Sequence, residues 1–328
     1  MFKYVIFKYN KNEIYLKILY NLDHRIILFM ENYLLGNYEQ YLFRDIVFNV
    51  LNHLGKKGSF SLVNASKYLT TNKQNLYKKY LFNLESINNL GVEYSNLIKK
   101  LQINDNYKLD LNKFGNLHSL YIHCDVFNQS LDCLPNNLKS LKIVSSTFNQ
   151  TLDCLPNTLN LLHISSHIFN KTLNKLPNSL TSLNIYNDNF NEPLNGLPNG
   201  LKELRILTKK FNQKINNLPN TLITLQICGD EFKQRLNNLP NHLKSFFMRS
   251  YVFNYQLDCL PNTLISLELR SCIKFNKPLN NLPPNLESLV MGWCNSFDQP
   301  LDCLPKSLKK IAIDGKYETS SLYLNITI

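Results

Sequence analysis

Proline is missing everywhere before Pro135, although the 328-residue chain holds thirteen. Interior proline breaks helices, so this absence is consistent with a helical first third. Long apolar runs are missing too. The run Ile26-Ile27-Leu28-Phe29-Met30 is far short of the roughly 20 residues that a membrane-spanning helix needs. No small-residue cleavage site follows it, so no signal peptide is expected. There is no block of five like charges, although 36 Lys and Arg against 24 Asp and Glu give a formal net charge of +12. Residues 1–110 hold 15 Lys/Arg and 9 Asp/Glu, a net of +6, and the remainder supplies the other +6. Such a diffuse basic surface could meet nucleic acid, but general solubility explains it as well. The eight cysteines include no Cys-x-x-Cys pair, which argues against zinc. The seven histidines share no metal-ligand spacing. Walker, His-Glu-x-x-His, Gly-x-Ser-x-Gly and dinucleotide fingerprints are all missing. The sequence thus offers no catalytic residue, no metal ligand and no cofactor site.

What the chain has is repetition. Phe127, Phe148, Phe169, Phe190, Phe211, Phe232, Phe253, Phe275 and Phe297 form one series, with a step of 21 six times and then of 22 twice. Each is followed eight positions later by proline, from Pro135 to Pro305. A fixed period of this length marks a solenoid. With the phenylalanine as position 0, Leu or Ile stands at +4 and Leu at +7 and +11 in all nine copies. After the proline comes Leu-x-x-Leu-x-Ile, as in Leu138, Leu141 and Ile143. The last two are two positions apart and share one side of a short strand. Proline cannot donate to a ladder and belongs just before that strand. One coil cannot bury its apolar side alone, so the coils must stack into a parallel sheet with strands about 4.8 Å apart.

Position +1 is Asn in seven copies, with Lys233 and Asp298 the exceptions. This column reads as a structural ladder that satisfies loop backbone. Asp132, Asp153, Asp258 and Asp302, at +5, read as turn chemistry. Cys133, Cys154, Cys259 and Cys303 fall at +6. Cys124, Cys272 and Cys294 lie three positions before their phenylalanine, and Cys228 four before. Cysteines that ride on the repeat in this way point to thiols and a reducing, intracellular compartment, cytoplasmic or nuclear.

The pattern FN-x-x-L-x-x-LP-x-x-L-x-x-L-x-I resembles the FNIP repeat, a relative of leucine-rich repeats. Asn191-Glu192-Pro193, Asn276-Lys277-Pro278 and Asp298-Gln299-Pro300 carry that family's second proline. The resemblance implies a stacked domain that binds other proteins, often behind a short adaptor-binding module. The string LFRDIVFNVLNHL, followed by SLVNASKYL, resembles an F-box. Leu42, Asp45, Ile46, Val50, Leu51, Leu54, Leu62, Val63 and Lys67 match or nearly match it, and Phe43 stands where that family has proline. The F-box resemblance implies a Skp1-type adaptor and a cullin complex as partners, docked on Leu42, Phe43, Ile46, Val50, Leu51 and Leu54.

The sequence therefore predicts a mainly β chain: a right-handed parallel β-solenoid of FNIP/leucine-rich-like coils with a small N-terminal α-helical F-box-like module. Residues 1–40 form an N-terminal helical extension, because Ile14, Ile18, Leu19, Leu22, Ile26 and Phe29 have helical spacing. The F-box-like module occupies 41–85. Residues 86–126 form junction and capping coils, with Leu101 and Ile103, then Leu120 and Ile122, at strand spacing. The nine repeats run over 127–315, and 316–328 cap the end. Outward-facing columns +13, +15 and +17 vary from coil to coil while the core columns do not. Arg205, Phe247, Arg249 and Arg270 on those columns are the target-binding candidates, with Trp293 nearby. The implied function is substrate recognition for an SCF-type (cullin) E3 ubiquitin ligase, a non-catalytic role. The alternatives are a protein-binding scaffold without ubiquitylation and a nucleic-acid-binding solenoid. No membrane and no small-molecule substrate are expected.

Overall fold

The computed structural model describes residues 3–10, 13–20, 79–83, 99–104, 106, 111–313 and 324–325. The chain divides into two compact units, Met1–Cys124 with Cys133–Leu138, and Asp125–Asp132 with Lys139–Ile328.

In the first unit, β1 (Lys3–Asn10) and β2 (Glu13–Tyr20) pair antiparallel from Lys3↔Tyr20 to Asn10↔Glu13. β3 (Lys79–Asn83) adds antiparallel to β1. β4 (Lys100–Ile103) runs parallel to β2, and β5 (Ser119–His123) parallel to β4. This corrects two expectations. Residues 3–10 and 13–20 of the expected helical extension are strands, and so are residues 79–83 of the expected helical module. The segment is rich in Tyr, Val, Ile and Phe, which favour pleated structure. Ile14, Leu16 and Ile18 also alternate, a period of two that helical spacing of Ile14 with Ile18 conceals. A proline-free stretch suits a strand as well as a helix. The remaining F-box-like positions, Leu42, Phe43, Ile46, Val50, Leu51 and Leu54 among them, lie outside the described residues. In β4 and β5, Leu101, Ile103, Leu120 and Ile122 are buried, as their spacing predicts.

The second unit is the solenoid. Its strands are β6 (Ser140–Val144), β7 (Leu161–Ser165), β8 (Ser182–Tyr186), β9 (Glu203–Leu207), β10 (Thr224–Cys228), β11 (Ser245–Arg249), β12 (Ser266–Arg270), β13 (Ser288–Gly292) and β14 (Lys310–Ile313). Each pairs in parallel with the next, position for position, as in Leu183↔Leu204 and Ile185↔Ile206. The short β15 (Leu324–Asn325) pairs antiparallel with β14. Positions +14 and +16 are buried in every coil, and the phenylalanines from Phe148 to Phe275 are fully enclosed. Neighbouring phenylalanine rings stack at 5.9–6.3 Å between centroids from Phe127 to Phe232, and at 6.0 Å from Phe253 to Phe297. The proline carbonyl accepts the N–H of the +11 leucine in a tight turn, as in Leu180 to Pro177 at 3.0 Å. That turn points the chain into the strand.

Polar columns register the coils against one another. Each Asn at +1 accepts, through Oδ1, the backbone N–H at +1 of the following coil. The rungs measure 2.9–3.1 Å, from Asn149 onto Asn128 to Asp298 onto Asn276. Three positions before the phenylalanine, a hydroxyl reaches back to the preceding phenylalanine carbonyl: Ser145 to Phe127, Ser166 to Phe148, Thr208 to Phe190 and Ser250 to Phe232, at 2.7–3.1 Å. At Gly229 the backbones approach so closely that an added Cβ would lie 2.3 Å from the Phe211 oxygen. None of the eight cysteines is in a disulfide.

Lys233 interrupts the asparagine ladder, because an ammonium cannot accept the N–H of Asn254. Lys233→Asn supplies the missing acceptor and should stabilise the fold by about 0.5–1.5 kcal/mol. Equilibrium urea unfolding measures it, and no gain would mean that the rungs contribute nothing net.

Candidate protein-binding face

The strands alternate inward and outward, so +13, +15 and +17 form the outer face of the sheet. Most of these side chains are half-buried, as expected for one layer with one open side. Column +15 runs Lys142, His163, Asn184, Arg205, Gln226, Phe247, Glu268, Val290, Ala312, and register partners place these side by side.

The predicted target-binding residues all lie on this face. Phe247 stands on β11 between Gln226 and Glu268, half-buried. Arg249 and Arg270 are register partners at the ends of β11 and β12, so these three form one group. Arg205 lies two strands away on β9. Each arginine has a carboxylate partner: Arg205 with Glu203, Arg249 with Asp230 at 3.0 Å and Arg270 with Glu268 at 2.5 Å. Two of these pairs are Glu-x-Arg on one strand, where alternation puts both side chains on the same face.

A polar cluster that sequence reading passed over spans β7 to β9. Asn184 is only 7% exposed, and its Nδ2 donates to Ser182 Oγ at 3.3 Å. Ser182 donates in turn to Glu203 Oε2 at 2.9 Å. Among the described residues, Asn184 Oδ1, Arg205 Nε and Arg249 Nε are buried without a hydrogen-bond partner. His163 flanks Asn184, its ring 5.0 Å from that of Tyr186. Burial, with Lys142 beside it, lowers the His163 pKa to about 4, so the imidazole is neutral at pH 7.

The rim beyond the strand ends carries a second feature. Where the period lengthens, the residue after the strand takes a left-handed conformation: Ser271 at φ 51° and Trp293 at φ 56°. Trp293 is the chain's one tryptophan and is 68% exposed. Tyr251 and Ile273, from the two preceding coils, are exposed on the same rim. At Gly292 an added Cβ would lie 2.7 Å from Arg270 Nη1, so the missing side chain makes room for that arginine. The lengthened spacing was the sequence signal for these residues. Farther along, a groove of about 380 Å³ is lined by Ser146, Ser165, His167, Tyr186, Asn187 and Asp188 among others. Lys209, 3.0 Å away, holds the Asp188 pKa below the usual carboxylate value. Among the described residues, no group of three or more His, Cys, Asp or Glu could hold a metal ion. No helix there is long and apolar enough to cross a membrane.

A parallel sheet wound from short coils of nearly constant period, with leucine and phenylalanine columns inside, defines a leucine-rich-repeat-like β-solenoid. Comparison with known proteins bears this out. The chain carries FNIP repeats: the FNIP Repeat family matches residues 127–167, 169–209 and 275–316. A solved structure described as CroV588, a novel circular LRR protein, is similar, with a TM-score of 0.53 and 30% identity. The match covers 70% of this chain and 39% of that one, so the chain spans about two fifths of that protein's length. No curated protein matches the chain in sequence. Lys233 and the off-pattern Phe246-Phe247-Met248 fall in the unmatched stretch 210–274.

A non-glycine residue held in the left-handed region costs roughly 1–3 kcal/mol. Trp293→Gly should therefore raise stability by about 1 kcal/mol, read as an increase in Tm. A fall in Tm would show that the indole packs onto the fold. For His163 the folded pKa lies below the unfolded value near 6.5. The unfolded state then takes up the proton first, and stability falls as pH drops from about 6.5 towards 4. His163→Gln should flatten that part of the stability–pH curve. An unchanged slope would assign it to other groups.

Proposed function

We propose that this chain is a non-catalytic, protein-binding repeat scaffold that serves as the substrate-recognition subunit of an SCF-type (cullin) E3 ubiquitin ligase. A Skp1-type adaptor docks on the F-box-like segment, at Leu42, Phe43, Ile46, Val50, Leu51 and Leu54. The target protein docks on the outer sheet face. One observation carries the binding role. The inward columns stay apolar in every coil, mostly Leu and Ile, while column +15 changes chemistry at nearly every step, from Lys142 to Ala312. A solenoid that varies where it faces outward, over a constant core, has the form of a recognition surface. The ligase role is supported by the sequence match from Leu42 to Lys67 ahead of FNIP repeats. In that role the chain contributes proximity, holding an acceptor protein near a charged carrier. The eight thiols fit an intracellular setting.

One observation favours a second reading, a scaffold without ubiquitylation: Phe43 stands where the F-box has proline. Adaptor affinity separates the two. Leu51→Arg places a charge in the expected apolar contact and should abolish binding of a Skp1-type adaptor while the solenoid stays folded. Phe43→Pro should strengthen binding, because proline suits the first turn of a helix. If neither wild type nor Phe43→Pro binds, the scaffold reading replaces the ligase reading.

A further inference from the structure

The row His163, Asn184, Arg205 across β7, β8 and β9 pairs a buried acceptor with a buried donor, and neither is used. Asn184 Oδ1 accepts nothing and Arg205 Nε donates to nothing, yet the two residues are register partners on adjacent strands. Folding gains nothing from this arrangement, since a buried polar atom left unsatisfied destabilises the native state. Leucine at this position, as in the inward columns, would carry no such cost. The neighbours show what is wanted. Asn184 closes a chain of hydrogen bonds that runs through Ser182 to Glu203, and Glu203 holds Arg205. The outer faces of β6 to β9 carry two cations, Lys142 and Arg205, against the single carboxylate of Glu203. His163 adds no charge at pH 7.

We propose that this row anchors an extended acidic peptide segment of the target protein, with a ligand carboxylate on Arg205 and a ligand backbone N–H on Asn184 Oδ1. The proposal rests on the target-recognition reading and names the chemistry of its ligand. The incoming carboxylate takes the unused Nε edge of the guanidinium, which Glu203 already holds through Nη2, and the peptide N–H meets Asn184 Oδ1 on the neighbouring strand. The dimensions agree. Three residues of extended chain rise about 10 Å, and the two strand spacings from His163 to Arg205 also come to about 10 Å. A nucleic acid fits less well. Its backbone offers only acceptors, so a donor for Asn184 Oδ1 would have to come from a base or sugar, whereas a peptide backbone brings an N–H at nearly every residue.

The test uses the full chain and a synthetic array of capped hexapeptides. Asp or Glu is stepped through each position of a Thr/Val background, with uncharged and Lys-substituted versions beside them. A poly-dT oligonucleotide serves as the nucleic-acid arm. Wild type, Asn184→Leu, Asn184→Ala, Arg205→Gln, Phe247→Ala and the control Lys175→Gln are compared for binding and for Tm. The expected result is that acidic peptides bind wild type in preference to uncharged and Lys-substituted ones. Arg205→Gln and both Asn184 variants should lose at least tenfold in affinity, while Lys175→Gln, in an exposed turn off the sheet face, keeps it. At least one Asn184 variant should melt at or above the wild-type temperature, because an unsatisfied buried atom has been removed. Three outcomes would overturn the proposal: undiminished acidic-peptide binding by the Asn184 variants, a lower Tm in both of them, or oligonucleotide binding that depends on Arg205 without peptide binding. Absence of peptide binding while a ubiquitylation target still requires Phe247 would overturn this row alone and leave the target-recognition reading in place.

Discussion

A single coil has an apolar side that it cannot bury itself, and every other feature of the solenoid follows from that. The phenylalanine at position 0 meets its counterpart one coil away, ring on ring at 6.0 Å for Phe148 on Phe169 and for Phe169 on Phe190. The leucines at +4, +7, +11 and +14 are buried in the same way, apart from the half-buried Leu301 and Leu304 of the last coil, and burying each contributes roughly 1.5–3 kcal/mol only when the neighbouring coil is present. Stability is therefore a property of coil pairs, and a strict period is the condition for keeping the columns aligned.

Stacking places polar backbone in columns as well, and those groups need partners that the sheet ladder does not reach. The asparagine rungs, and the hydroxyls three positions ahead of four of the phenylalanines, meet that need coil against coil. With the inside and its edges fixed, variation is confined to the outer face of the strands and to the rim. There the structure keeps residues that fold stability alone would not choose: Asn184 with an unused acceptor, and Trp293 in a left-handed conformation. Both are departures from local consistency, the kind that function sustains.

Much of this was legible in the sequence. The Phe-to-Pro spacing located the strands, the Leu-x-Ile pairs identified the inward positions, and the recurring Asn at +1 read as a ladder. The atypical strands at Leu101 and Leu120 were also marked by spacing. The N-terminal strands were not, because Ile14 and Ile18 satisfy a helical period and Ile14, Leu16 and Ile18 a strand period at once. What decides between them is pairing of β2 with β1 and β4, a long-range fact. The arginine pairs were legible in principle, since Glu203-x-Arg205 and Glu268-x-Arg270 must share a face. The burial of Asn184 was not, because it depends on His163 and Arg205 from other coils. The lengthened spacings announced an insertion, but only the backbone geometry shows that Trp293 absorbs it.

The claim that cohesion lies between adjacent coils is tested most directly by native-state hydrogen exchange on Leu183→Ala, a truncation inside β8. The account predicts a loss of about 2–5 kcal/mol. Amide protection should fall most in β8, clearly in β7 and β9, and progressively less towards β12 and β13. An equal loss of protection in every strand, or a loss confined to β8, would contradict nearest-neighbour stacking as the source of stability.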